Sequence, residues 1–168
     1  LFDHSRLVAA ISLCIDEKGD KDKECLLIKG DVSGIQNFIY HQITDIERAA
    51  KQLRGRSFYI RLLSDAISNY ITRELGLYDA NILISSGGHF IILAPNNEAN
   101  REKVSELEKR INRVLLNNFG GLLQVIIAHV DSNYKDVGNR FYEVHFRLDE
   151  ELQKAKKHKS LSILDELL

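Results

Sequence analysis

Asp31 and Ser33 stand two residues apart in the run Leu26–Phe38, LLIKGDVSGIQNF, and Gly34 follows them directly. A carboxylate, a hydroxyl and a flexible glycine so close together suit either of two tasks. They can meet an anionic ligand such as a phosphate, because backbone N–H groups at a helix start are unpaired and point outward. Equally, Asp31 or Ser33 can cap the helix by accepting from those same N–H groups. Taken alone, the stretch supports capping before it supports binding. What positions it is legible in the flanks. Leu26, Leu27, Ile28 and the aliphatic stem of Lys29 predict a buried strand ending in a tight turn at Gly30-Asp31, and Ile35 to Tyr40 predict a short amphipathic helix.

A second group lies further on. Asn81–Ser85 and His89–Ala94 are short apolar runs separated by Ser86-Gly87-Gly88. Paired glycines supply the positive φ of a tight hairpin turn, so the pattern predicts two antiparallel strands. Basic residues cluster at Lys51, Arg54, Arg56 and Arg61, with Arg54-Gly55-Arg56-Ser57 just before a long helical pattern. Such a cluster is either a solvated helix face or a contact for phosphate or a partner, and the two readings weigh evenly. Other polar candidates have simpler readings: His129 as a core-edge histidine, His41 as a surface residue, and Tyr59, Tyr70 and Tyr78 as core-rim residues. The basic run Lys154–Lys159 could meet RNA or DNA, but a solvated helix end accounts for it.

The remaining elements follow from periodicity. Phe2–Ile15 has Leu7, Val8, Ile11, Cys14 and Ile15 at helical spacing, and the charged stretch Asp16–Glu24 predicts a loop. Leu53–Ser57 interrupts the pattern at Gly55; a helix from Ser57 to Leu75 then carries Phe58, Leu62, Leu63, Ala66, Ile67, Tyr70, Ile71 and Leu75 on one stripe, and Gly76 ends it. Glu98–Phe119 predicts a second long helix with Val104, Leu107, Ile111, Val114 and Leu115 inward, ended by Gly120-Gly121. Leu122–Val130 predicts a fourth strand buried on much of both faces, Ser132–Gly138 a loop, and Phe141–Lys157 a last helix.

Strand, helix, strand, strand, helix, strand is the ferredoxin-like βαββαβ plan: α+β, a four-stranded antiparallel sheet with helices on one face, here flanked by extra N- and C-terminal helices. Strands one and three are central neighbours in that plan. The end of strand one therefore meets the start of strand three, and Asp31 comes beside Gly88 and His89.

Composition sets the outer limits. The chain has 168 residues, 44% hydrophobic and 28% charged, enough for one domain with a proper core. Its formal net charge of −1 gives no global pull towards nucleic acid or membrane, so any such binding needs a local patch. Cys14 and Cys25 lack the spacing of a zinc site and the density of a disulfide scaffold, which favours the cytoplasm, and no apolar run is long enough to span a bilayer. With no methionine and Leu1 at its start, the chain reads as a fragment of a longer protein.

Nucleotide cyclases and template-dependent polymerases hold two metal ions at this sheet edge with paired carboxylates. Here the edge has Asp31 as the one candidate metal ligand, Ser33 where a second acid often stands, and a hairpin reading Ser85-Ser86-Gly87-Gly88-His89-Phe90. That composition favours a palm that holds a nucleotide without transforming it. GDVSGIQNFIY, KQLRGRSFYIRLL and SSGGHFIILAP, in this order, resemble the first Palm domain of the large subunit of type III CRISPR effector complexes of the Csm (III-A) type. Residues 1–24 then resemble a linker helix and loop from an upstream HD-type domain, 25–138 the Palm, and 139–168 an exit towards a linker domain.

The resemblance implies binding of ATP with Mg²⁺ or Mn²⁺, the metal held mainly by a second Palm domain of the same polypeptide. It places Asp31, Val32, Ser33 and Gly34 on one wall of a nucleotide site and Ser86, Gly87, Gly88 and His89 on the other, with Lys51, Arg54 and Arg56 as phosphate or partner contacts. The partners it implies are that second Palm, the other effector subunits with guide and target RNA, and single-stranded DNA through an HD domain this chain does not contain. The intact protein of that family makes cyclic oligoadenylate and cuts single-stranded DNA; this fragment, without the Gly-Gly-Asp-Asp turn and the HD motif, is expected to do neither. Two alternatives compete. A self-sufficient nucleotide cyclase is disfavoured by the missing hairpin acids. An RNA-recognition module would stack bases on central-strand aromatics, of which only Phe90 is present.

Overall fold

The computed structural model describes residues 2–14, 25–40 and 46–167. Along the chain run α1 (Phe2–Cys14), β1 (Cys25–Ser33), α2 (Ile35–Tyr40), α3 (Ile46–Glu74), a single 3₁₀ turn (Asp79–Asn81), β2 (Ile82–Ser86), β3 (His89–Pro95), α4 (Glu98–Phe119), β4 (Gln124–Ser132), α5 (Tyr134–Asn139) and α6 (Phe141–Leu167). The strands form one antiparallel sheet in the order β2-β3-β1-β4, which is the expected plan with β1 and β3 at its centre.

Alternation along β1 sorts the core into two layers. Leu26, Ile28 and Val32 face α3 and α4, where they pack with Ile60, Ile67, Ile71, Phe90, Leu107 and Leu115. Cys25 and Leu27 face the other way, towards Ala10 and Cys14 of α1 and Val144 and Leu148 of α6. The flanking helices thus close the second face of the sheet, and β1 is buried along almost its whole length. Fully burying each such aliphatic side chain contributes about 1.5–3 kcal/mol.

Local signals end the elements cleanly where they are strong. The Asn97 side chain accepts from Asn100 N at the start of α4, and Gly120, at φ 57°, ends it in the left-handed conformation. At the β2–β3 turn Gly87 and Gly88 have φ of 61° and 97°, the positive values that two-residue hairpins need. Asn133 caps α5, so the expected loop over 132–138 contains a helical turn.

Several expectations are corrected. β1 does not turn at Gly30-Asp31 but continues to Ser33, because all of Lys29 to Ser33 pair with β4. Gly30 sits inside the strand for a packing reason: a Cβ there would lie 1.9 Å from Phe90 Cζ. The Leu53–Ser57 interruption is absent, since α3 passes through Gly55 without a break; one glycine costs a helix only about 1 kcal/mol. The buried stripe of α3 is also rotated from the predicted one. Phe58, Leu62 and Ala66 are exposed, while Ser64, Ser68 and Thr72 are buried with Ile60, Ile67 and Ile71. Their hydroxyls donate to the carbonyls of Ile60, Asp65 and Ser68, so small polar side chains fill a core face without unpaired groups. Val114 of α4 and Val8 of α1 are exposed as well, β4 is shifted to Gln124–Ser132, and α6 continues past Lys157 to Leu167. The predicted loop over 16–24, Ile15 and His41 lie outside the described residues.

Candidate functional site

The end of β1 and the glycine hairpin, the two stretches singled out in the sequence, meet. Val32 N donates to Gly88 O at 2.8 Å, and Asp31 and His89 are register partners across β1 and β3. Close packing enforces this convergence. A Cβ on Gly88 would lie 2.4 Å from Ile35 Cδ1, and one on Gly34, at φ 89°, would lie 2.0 Å from the Leu122 carbonyl oxygen. Neither position accepts a larger residue without rearrangement. The sheet edge therefore presents Ser33-Gly34 from β1 and Gly87-Gly88-His89 from the hairpin, with Ser33 half-buried and Ser86, Gly87 and His89 open to solvent. Val32 belongs to the wall only by its backbone, because its side chain is buried in the layer under α3. The hairpin is tied to that helix by the Ser85 hydroxyl, which donates to Asp65 Oδ1 at 2.5 Å.

Asp31 does not stand in an open turn. It is only 5% exposed, on the side of the sheet that faces α6. Its Oδ1 lies 2.5 Å from His89 Nδ1 and its Oδ2 lies 2.5 Å from Lys156 Nζ, while the Ser33 hydroxyl donates to Oδ2 at 3.5 Å. Two residues back along the same face, the buried ammonium of Lys29 is paired with Asp149 Oδ1 and lies 3.3 Å from His145 Nε2. His145 Nδ1 closes that cluster at 3.1 Å from Asp149 Oδ2. For a magnesium or manganese ion this donor set does not fit. Both Asp31 oxygens face side chains that carry positive charge or a proton, and among the described residues no second carboxylate joins it. Among the described residues there is no group of three or more His, Cys, Asp or Glu side chains that could hold a metal.

The basic candidates separate. Arg56 is half-buried, and its Nη1 donates to the carbonyls of Phe38 and Ile39 at 3.1 and 3.0 Å. It therefore satisfies the last carbonyls of α2. Arg54 Nε donates to Ala50 O within its own helix, and Lys51 is exposed. His129 is exposed on β4, its imidazole lowered from the usual range by partial desolvation and by Arg101, against Asp131 and Glu151. Tyr70 is a rim residue as expected, whereas Tyr59 and Tyr78 are exposed, Tyr59 with its ring against Phe38 and Phe119. Phe90 is fully buried over Gly30 and both faces of the sheet are covered by helices, so the sheet offers no base-stacking platform of the kind the RNA-recognition reading needs.

Sequence reasoning missed Lys29, Asp149 and Lys156 as partners of the central strand. A signal existed in the spacing. His145, Asp149, Leu152 and Lys156 recur at helical intervals on one face of α6, and a charged face beside buried Val144 and Leu148 invites a partner on the sheet.

A family model described as the Csm1 subunit domain B matches residues 24–167. The chain belongs to that family. Among curated relatives, the subtype III-A CRISPR system single-strand-specific deoxyribonuclease Cas10/Csm1 of Methanocaldococcus jannaschii is 36% identical over 159 residues, covering 77% of this chain and 19% of that protein. The protein of the same description from Mycobacterium tuberculosis is 35% identical, covering 83% and 19%. The chain thus spans about a fifth of the length of these relatives. Among solved structures, a Csm1–Csm4 cassette in complex with one ATP matches at a TM-score of 0.78 and 32% identity, over 92% of this chain and 23% of that one. Csm1 from T. onnurineus matches at 0.76 and 31%, over 93% and 24%. The resemblance to the Csm-type large subunit and the α+β palm plan are both borne out. No helix among the described residues is long and apolar enough to cross a membrane.

Proposed function

We propose that this Csm1 domain B is the nucleotide-binding, non-catalytic Palm half of the large subunit of a type III-A effector. The observation that carries the reading is the edge where Ser33-Gly34 meets Gly87-Gly88-His89. There, backbone without bulky side chains stands beside an exposed imidazole, a setting suited to the phosphates or ribose of ATP. Ser86 extends that wall. Related Csm1–Csm4 cassettes were solved with ATP and with AMPPNP, which supports a nucleotide as the ligand. The same edge lacks the paired acids of a two-metal site, and Asp31 is spent on protein partners. A metal that accompanies ATP is therefore held by a second Palm of the same polypeptide, in the manner of the family. Lys51 and Arg54 remain available to a partner surface; Arg56 serves α2.

In this reading the intact subunit makes cyclic oligoadenylate and cuts single-stranded DNA with segments outside this chain. Its partners are Csm4, as in the related cassettes, and the RNA-bearing effector. Within 1–168 the Palm spans 25–138, with 1–24 and 139–168 as its connections. The test is calorimetric titration of the 168-residue chain with ATP and Mg²⁺, alongside a turnover assay with ATP and GTP. The expected result is binding weakened at least fivefold by Ser33→Ala with His89→Gln, and no product. Product formation by the chain alone would instead establish a self-sufficient cyclase.

A further inference from the structure

A cluster of charged side chains lies under the candidate edge, between β1 and α6, with its strand members buried, and it has an ordered layout. On the strand, Lys29 and Asp31 are two residues apart on one face; on the helix, Asp149 and Lys156 face them with opposite signs. The pairs are crossed in polarity, so sliding α6 along the sheet brings like charges together. The register of the helix is thereby fixed. Asp31 also holds His89, whose side chain is 54% exposed at the glycine turn.

We infer that Asp31 is a positioning residue: it anchors the His89 ring through Nδ1, so that Nε2 is the ring atom offered to a ligand at the edge, and Lys156 of α6 holds Asp31 in place. The reasoning is stereochemical. An ionised carboxylate only accepts hydrogen bonds, so the ring nitrogen 2.5 Å from Oδ1 carries the proton. That fixes the tautomer and leaves Nε2 outward. In a neutral ring Nε2 accepts, which suits a hydroxyl of ribose; in a protonated ring it donates, which suits a phosphate oxygen. Both belong to a nucleotide, and one nitrogen serves either. His89 faces Asp31 on this side, Asp31 in turn meets Lys156 and the Ser33 hydroxyl, and the Lys29–Asp149–His145 cluster lies next along the sheet. The same chain of contacts makes α6, which runs on from the Palm, a mechanical neighbour of the ligand edge. A shift of α6 that withdraws Lys156 frees the Asp31 carboxylate and loosens the ring.

The inference deepens the nucleotide reading and rests on it only for the ligand. Nitrogen-15 NMR of the histidine rings in the 168-residue chain at pH 8 tests the positioning itself. The wild-type ring of His89 is expected to carry its proton on Nδ1. Asp31→Asn is expected to change its tautomer ratio at least fivefold, and Lys156→Gln to change it in the same direction. The doubly exchanged variant Asp31→Lys with Lys156→Asp separates packing from positioning. It restores an ion pair between β1 and α6 and recovers most of the melting temperature lost in Asp31→Lys alone, yet leaves His89 as a tautomer mixture, because a lysine cannot accept from Nδ1. An unchanged tautomer ratio in Asp31→Asn, or an Nδ1 proton retained in the exchanged variant, overturns the inference. Titration with ATP reads the other half: His89→Gln is expected to weaken binding about tenfold and Asp31→Asn about threefold. If the wild-type chain binds no ATP while the tautomer results hold, the nucleotide reading fails and the positioning role stands.

Discussion

The two faces of β1 meet their helices by different means. On one, Leu26, Ile28 and Val32 lie against α3 and α4 among apolar neighbours, and Gly30 leaves the space that the Phe90 ring fills. On the other, the contact with α1 and α6 begins with Cys25 and Leu27 and then turns ionic at Lys29 and Asp31. Apolar contact is non-directional and tolerates a volume-conserving exchange. Ionic contact at low exposure is directional and intolerant of a missing partner. The first face of β1 is thus held by apolar burial, and the ionic pairs of the second fix which residues of α6 stand beneath the candidate edge. The contrast explains why the strand places a carboxylate next to the candidate edge yet turns it towards protein partners.

The contrast is broken most severely at the glycines. Gly34→Ala drives a Cβ into the Leu122 carbonyl from a positive φ, and Gly30→Ala drives one into Phe90. Each is expected to cost about 3 kcal/mol, Gly34→Ala the more because backbone yields less readily than a ring. Urea denaturation checks both, and a loss under about 1 kcal/mol for either contradicts the packing described. On the ionic face, Asp31→Asn removes the carboxylate that Lys156 and His89 pair with. The expected loss is about 1–3 kcal/mol, below that of a fully buried pair because Lys156 is partly exposed. Double substitution of Asp31 and Lys156 by Asn and Gln is expected to recover part of it.

Smaller effects sharpen the picture. Gly55→Ala is expected to stabilise the chain by about 0.5–1 kcal/mol, since a Cβ there meets nothing within 4 Å in a continuous helix. No gain means that α3 breaks there after all. Cys14, on the α1 side of the second face, has its thiol pushed up to about 12 from 9.0 by burial, with the Asn81 amide pulling weakly the other way. A raised pKa favours the neutral thiol in the folded state. Its contribution is therefore complete below pH 9 and is lost as pH rises from 9 towards 12. At pH 8 Cys14 is expected to resist iodoacetamide until the chain unfolds, read by mass spectrometry with and without urea.

How far the sequence reached follows from the range of the forces involved. The Gly87-Gly88 hairpin and the course of α4, from its Asn97 cap to Gly120, depend on residues a few positions apart, and a linear reading finds them. The convergence of β1 with the hairpin followed from topology, once the element order was known. What stayed hidden depends on tertiary contact. Gly30 reads as a turn until Phe90 is placed over it. The α3 stripe reads as Phe58, Leu62 and Ala66 until Ser64, Ser68 and Thr72 are seen buried with their hydroxyls bonded within α3. Asp31 reads as a ligand until Lys156 arrives from the last helix. Arg56 likewise reads as either a solvated residue or a phosphate or partner contact until the carbonyls of α2 are seen to accept from it.

The central claim is that the end of β1 and the glycine hairpin form one nucleotide edge whose buried acid works from behind. Amide chemical-shift mapping of the 168-residue chain during titration with ATP and Mg²⁺ tests it most directly. The account predicts the largest shifts at Ser33, Gly34, Ser86, Gly87, Gly88 and His89, with smaller ones at Asp31 and at Lys156 behind them. Saturable shifts centred elsewhere, with those residues unmoved, would contradict it.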